Sequence, residues 1–293
     1  MFEQLGLIGC GLMGGSFALA LKKAGLVQRV VGYSKSPSTL RRARELGVID
    51  VEAPSALLAV SGADIVLLAV PVAATEDTFK TIRHLVSDTA LVMDVGSTKS
   101  DVVAAARRSF RERLAGFVPA HPIAGKETAG VEHADARLYQ GCQVVLTPLD
   151  CTEPAQVERA SQVWTALGAR VRRMDPDAHD AAYATVSHLP HLLAFAAINA
   201  IQAQPQAQEF LSLAGPGFRD FTRIAASDPS VWRDILIANQ AQVLEQSQHF
   251  RAALERLEHT LREGDPLALQ KLIRQASEVR SAWSLGTPAI DAT

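Results

Sequence analysis

Leu5-Gly6-Leu7-Ile8-Gly9-Cys10-Gly11-Leu12-Met13-Gly14-Gly15-Ser16 is the stretch on which the reading of the whole chain turns. Leu5, Leu7 and Ile8 have the pattern of a buried strand, which stops at Gly9. Beyond Gly14, the residues Phe17, Ala18, Leu21 and Ala24 recur at helical spacing, so a helix opens there. Between strand and helix lies G-x-G-x-x-G, carried by Gly9, Gly11 and Gly14, with Leu12 and Met13 inside it. Gly9 suits the tight turn, Gly11 lets backbone approach a pyrophosphate, and Gly14 lets the helix pack on its strand. Free N–H groups and the positive end of the helix dipole then face that anion. Glycines alone can make a plain turn. Strand, glycines and helix in this order point instead to dinucleotide binding.

The next strands support a parallel α/β sheet of the Rossmann type. Arg29 to Tyr33 reads as the second strand, whose end inspects the adenosine ribose and usually carries an acid when the cofactor is NAD. Here it runs into Ser34-Lys35-Ser36-Pro37, with Arg41 and Arg42 one turn into the next helix. A carboxylate would repel a 2′-phosphate, whereas a lysine flanked by hydroxyls binds it. NADP is therefore favoured over NAD, the alternative being a solvated turn with a surface lysine. Ala63 to Pro71 is a continuous apolar run, the mark of a strand covered on both faces, and places Val70 and Pro71 at the cofactor crevice. Leu91 to Val95 delivers Gly96-Ser97-Thr98-Lys99-Ser100 to the same edge. Phe117 to Ala120 then ends in His121-Pro122-Ile123-Ala124-Gly125-Lys126-Glu127. A histidine at a strand's carboxyl end on the cofactor side is a candidate for proton transfer. Gln143 to Leu146 and Arg170 to Met174, around a helix containing Val157 to Leu167, extend the sheet in this reading.

From Pro176 onward the strand signals stop, which divides the chain into a dinucleotide-binding domain over 1–175 and an all-helical substrate and dimerisation domain over 176–293. Pro190 interrupts the helical run from Ala178 to Gln202, frees the carbonyl of Val186 and predicts a kink. Ser187, His188 and His191 surround it, the histidines three apart on one face. Either imidazole can cap the freed backbone or meet a substrate. Leu213 to Phe218 is a turn-rich loop leading into a short helix with Arg219 and Arg223 four apart, able to grip carboxylates or to pair with Asp220 in solvent. Asp228-Pro229 starts a helix running to about Glu263, with Leu236, Val243, Phe250, Leu254, Leu257 and Leu261 along one stripe. At 1.5 Å per residue that helix spans roughly 50 Å, too long for a small domain to cover, so a second copy of the chain is expected against it. Asp265-Pro266 starts a last helix through Trp283.

A formal net charge of −2 leaves no electrostatic footprint for nucleic acid or a membrane surface. No uninterrupted apolar run is long enough to cross a bilayer, and the first residues form a strand rather than a signal peptide. Three cysteines, Cys10, Cys142 and Cys151, lack metal-site spacing, so a reduced cytoplasmic protein without a metal is expected.

Taken together, these stretches resemble the prephenate/arogenate (cyclohexadienyl) dehydrogenase family along essentially the whole chain. The likeness rests on Gly9 to Ser16, Gly96 to Lys99, His121 to Glu127, Ser187-His188-Leu189-Pro190-His191, and Phe218 to Ala225 with Asp228-Pro229 and Trp232-Arg233-Asp234. The resemblance implies a Rossmann domain followed by a helical domain through which two subunits intertwine. It implies hydride transfer to the nicotinamide from the ring carbon bearing the 4-hydroxyl, with loss of the ring carboxylate as CO₂, in tyrosine biosynthesis. By motif it makes His121 the catalytic histidine that hydrogen-bonds that hydroxyl, and Ser97 a serine near the same hydroxyl and the nicotinamide. Arg223 becomes a carboxylate-binding arginine, with Ser187, His188 and His191 as pocket residues and Glu127 as a gating or pocket acid. Two departures stand out: Ser34-Lys35 replaces the acid of NAD-using members, and Lys126 replaces a frequent small hydroxyl residue. No fused mutase segment or regulatory domain is expected.

Two rivals are weaker. β-Hydroxyacid dehydrogenases share the architecture but rely on a lysine in the helical half, where this chain has only Lys271. An NADP-sensing protein without turnover would not need histidines and arginines gathered at the crevice.

Overall fold

The computed structural model describes residues 1–125 and 128–284. The first half alternates strands and helices: β1 (Phe2–Ile8), α1 (Leu12–Lys23), β2 (Val27–Tyr33), α2 (Pro37–Glu45), β3 (Val51–Glu52), α3 (Ala56–Ala59), β4 (Ile65–Leu68), α4 (Thr75–Ile82), β5 (Leu91–Asp94) and α5 (Ser100–Ser109). Then come β6 (Phe117–Val118), β7 (Ala120–Ile123), β8 (Gln143–Leu146), α6 (Pro154–Ala166) and β9 (Arg170–Arg173). Six strands form one parallel sheet in the order β3-β2-β1-β4-β5-β6. Its register fixes the site. Ile8 lies opposite both Tyr33 and Leu68, and Leu68 opposite Asp94, so Gly9, Ser34, Ala69 and Val95 all leave the sheet at one edge.

Where the sequence pattern predicts one extended sheet, the structure has two. β7, β8 and β9 form a separate sheet, with β7 antiparallel and β9 parallel to β8. Pro119 explains the break, since it cannot donate to a ladder and separates β6 from β7. His121 consequently sits inside β7 rather than beyond a strand end, and Pro122 is tolerated because β7 is an edge strand. The packing of α1 and α6 rests on three rings with no exposure, Phe17, Tyr139 and Trp164, whose centroids lie 5.0 Å (Phe17 to Trp164) and 5.1 Å (Tyr139 to Trp164) apart. Each buried ring contributes on the order of 2–3 kcal/mol. The Tyr139 hydroxyl donates to the Met13 carbonyl at 2.7 Å, tying this core to the glycine loop.

After Arg173 every described element is helical: α7 (Pro176–Tyr183), α8 (Leu189–Gln202), α9 (Ala207–Ser212), α10 (Pro216–Thr222), α11 (Pro229–Ala238), α12 (Gln240–Glu263) and α13 (Pro266–Ala282). Between α7 and α8 the chain makes a π turn, Ala184–His188, where the sequence predicts a proline kink. The wider turn accommodates the N–H that Pro190 lacks while the helical run continues. Among the described residues one helical run, Pro176–Gln202, has the length and mean hydropathy (1.3 over its most apolar window) of a membrane-crossing helix, by length and composition alone. The helix predicted from Asp228 to Glu263 is also two helices, broken at Asn239, whose backbone (φ −107°, ψ 29°) leaves the helical region. Packing divides the chain there too, into compact units Met1–Gln240 and Ala241–Thr293. The strand-to-helix change at 175/176 lies inside the first unit. In the second unit Leu244, Leu254, Leu261, Leu267, Ile273 and Val279 are exposed.

Candidate active site

The glycine loop is built for close backbone approach. Gly9 has φ +96°, and a Cβ there would collide with the Ala69 carbonyl; one on Gly14 would collide with the Gly9 carbonyl. At Gly11 a Cβ would meet nothing within 4 Å, so the backbone is open on that side. The helix starts at Leu12, earlier than the apolar spacing suggests, with Gly11 as its cap and no side chain or acid over its first turn. Its first N–H groups are left for an anion. Gly11, Leu12, Met13, Val70, Pro71 and Ser97 line one crevice of about 470 Å³, whose far wall is Ser227, Asp228, Val231, Trp232, Asp234 and Ile235 from α11 and the turn before it. Ser34 and Lys35 are not among its lining residues; Ser34 Oγ accepts from the Ser36 N–H at 3.3 Å and Lys35 is exposed. Arg42 is held by Glu45 at 3.0 Å and Glu132 at 3.8 Å, so its charge is already answered.

Lys99 departs from the sequence reading. It has no exposure and does not face the crevice; its ammonium pairs with Asp94 and donates to the Ala120 carbonyl at 2.9 Å. Asp94 in turn accepts from the Ala120 N–H at 3.0 Å and the Gly96 N–H at 2.8 Å. These added hydrogen bonds offset the cost of burying the pair. They also pin the start of β7, one residue before His121.

His121 Nδ1 lies 2.8 Å from His179 Nε2, and His179 Nδ1 lies 2.8 Å from Asp180 Oδ1. Asp180 also accepts from the backbone N–H groups of Lys99 (2.8 Å) and Ser100 (2.9 Å). Burial alone would raise its pKa, but these bonds with that from His179 hold it below the usual carboxylate range. An ionised Asp180 only accepts, so His179 donates from Nδ1 and accepts at Nε2. His121 must then donate from Nδ1, which leaves its Nε2 with the lone pair. Burial, reinforced by His179, Lys99 and His188, keeps the His121 imidazole neutral far below its ordinary range. Burial likewise lowers His179, against the pull of Asp180. The ring of Tyr183 packs on both histidines, at 4.9 Å from His121 and 4.5 Å from His179. The arrangement is an acceptor at His121 backed by an imidazole and a carboxylate.

His188 and His191 meet one indole. His191 stacks on Trp232 (3.4 Å between centroids, 18° between planes) and donates from Nδ1 to the Ser187 carbonyl at 2.9 Å. His188 meets Trp232 edge-on at 6.1 Å and is 1% exposed. Burial lowers His191 and the nearby Arg223 cation adds to the effect, which places Arg223 within electrostatic reach of the cluster. Arg219 instead pairs with Asp220 in solvent. Because Trp232 also lines the crevice, the glycine-loop wall and the histidine cluster share a boundary. Glu127 lies outside the described residues. Sequence reading misses His179, Asp180, Trp232 as a platform, and Asn239. A His-Asp pair in an alanine-rich helix was the available signal for the first two.

The family profile for the prephenate dehydrogenase nucleotide-binding domain matches residues 17–173, and that for the prephenate dehydrogenase dimerization domain matches residues 175–275. A prephenate dehydrogenase from Bacillus subtilis is 32% identical over 97% of this chain and 77% of its own length. A cyclohexadienyl dehydrogenase from Zymomonas mobilis is 32% identical over 96% of each chain. The crystal structure of prephenate dehydrogenase from Aquifex aeolicus with hydroxyphenyl propionate and NAD+ superposes with a TM-score of 0.88 at 35% identity, covering 96% of this chain and 98% of that one.

Proposed function

The chain belongs to the prephenate dehydrogenase family, and from that premise we propose that it oxidatively decarboxylates prephenate, arogenate or both, with NADP as hydride acceptor, in tyrosine biosynthesis. One observation carries the reading: the hydrogen-bonded chain Asp180–His179–His121 leaves a neutral imidazole with its lone pair on Nε2. As hydride leaves a carbinol carbon, positive character builds there and is relieved when the hydroxyl gives up its proton. A neutral His121 accepts that proton. General-base help of this kind is worth roughly 10²–10⁴-fold. Asp180 and His179 hold the ring in the accepting tautomer and stabilise the imidazolium that forms.

Ser97, on the crevice wall, orients the same hydroxyl. Ser187, His188, His191 and Glu127 belong to the substrate pocket in this reading, and Arg223 grips a substrate carboxylate with its planar fork. The glycine loop fits a dinucleotide: the open side of Gly11 and the uncapped first turn of α1 receive a pyrophosphate. Gly9, Gly11, Leu12, Met13 and Gly14 would hold it, with Val70 and Pro71 along the crevice. NADP supplies, when bound, the ring that takes the hydride. The Ser34-Lys35 turn favours NADP over NAD, since no carboxylate stands there to repel a 2′-phosphate. Residues 1–175 then serve as the dinucleotide-binding domain and 176–293 as the substrate and dimerisation domain of a cytoplasmic homodimer. Steady-state rates with prephenate and arogenate, each with NADP and NAD, test the proposal. Absence of reduced-cofactor absorbance with all four pairs would sink it.

A further inference from the structure

Asn239 lies at the break between α11 and α12, is 4% exposed, and no part of the proposed chemistry uses it. Its Nδ2 sits 2.8 Å from the Asp180 carbonyl and 3.1 Å from His188 Nδ1. A carbonyl oxygen can only accept, so the atom facing it is the amide nitrogen, and the orientation of the side chain follows. The second hydrogen on that nitrogen points to His188. Nδ1 of His188 must therefore carry a lone pair, which puts the proton of the neutral ring on Nε2.

We propose that Asn239 is a positioning residue for the histidine cluster: its amide keeps His188 neutral, with the proton on Nε2, and ties it to the Asp180 backbone whose carboxylate orients His179 and His121. The role rests on the reading of His121 as proton acceptor. The groups facing His188 are Asp180 and His179 on α7, His191 on α8 and His121 on β7. Burial pushes His188 down to about 4, Asp180 opposes this, and His179 and His191 add to it. A cation on His188 would in turn weaken His121 as a base, because the two rings are electrostatically coupled. An acceptor in place of the Asn239 amide would invite that cation. A donor prevents it.

The test is nitrogen NMR on the full-length enzyme with labelled histidine, the His188 signals being identified by their loss in His188→Gln. Wild-type His188 should show a proton on Nε2 and none on Nδ1 throughout the neutral range. In Asn239→Asp, Nδ1 should gain a proton and titrate near neutrality. Turnover of that variant should acquire a rise across the same pH range that the wild type lacks, roughly tenfold for each unit over which His188 stays charged. A wild-type proton on Nδ1, or a variant whose turnover profile superimposes on the wild type, overturns the role. The wild-type spectrum decides by itself if Asn239→Asp does not fold. It also needs no turnover, so an enzyme inactive on prephenate and arogenate would defeat the functional reading while leaving the state of His188 readable.

Discussion

His121 and His179 face each other at 2.8 Å, one from a strand and the other from a helix 58 residues further along the chain. A strand histidine on its own would titrate near 6.5. Paired in this way and half-buried, it stays neutral well below that value. Turnover should therefore be level through neutral pH and fall only at pH values below the ordinary imidazole range, as His121 takes up a proton and can no longer accept one. His121→Asn should lose roughly 10²–10⁴-fold in turnover and still bind NADP. A pH–rate profile half-maximal at or above the ordinary value, or a variant near wild-type rate, would move the base elsewhere.

Lys35→Ala should weaken NADP far more than NAD, because only NADP carries the phosphate the ammonium would meet. Titration calorimetry on wild type and variant with both cofactors gives the comparison. A wild type that binds NAD as well as NADP would show the Ser34-Lys35 turn to be merely solvated.

Arg223 is exposed yet electrostatically felt at His191. Its loss as alanine should raise the Michaelis constant for substrate by roughly 10–100-fold, the worth of a hydrogen bond to a charged group, with cofactor affinity intact. Parallel loss of NADP binding would make the residue structural.

The exposed aliphatic side chains of α12 and α13, Leu254, Leu261 and Ile273 among them, are too many for helices that meet only water. Sedimentation at micromolar concentration should find a dimer, and Leu254→Asp with Leu261→Asp should weaken it. A stable wild-type monomer contradicts the assembly.

The glycine loop was legible because each of its signals is local: a strand, three glycines at fixed offsets and a helical period. The helix starts at Leu12 rather than beyond Gly14, because capping by Gly11 leaves no side-chain mark. The second sheet is not legible, since the patterns of β8 and β9 mark strands without saying which sheet they join. Pro119 was the clue. His121 could be found from its motif, but its partner could not, because His179 reaches it only through tertiary packing of α7. Lys99 reads as a rim residue because nothing in its neighbours announces that Asp94 neutralises it inside the core. Asn239 looked like one more polar position in a long amphipathic helix, and only the structure reveals the break there.

The π turn at Ala184–His188 sets the rotational phase of everything after it. In a regular helix eight residues separate Asp180 from His188 by about 80° around the axis; one extra residue in a turn takes back about 100° and leaves the two on nearly the same azimuth. That alignment is what allows a single amide, Asn239, to reach both. Restoring the N–H that Pro190 lacks, as in Pro190→Ala, would thus let all eight residues close as a regular helix, with His188 and His191 swung about 100° around the axis, away from Asp180. Such a variant should keep its helical circular dichroism and lose turnover, whereas retained turnover would mean the site does not depend on this phase.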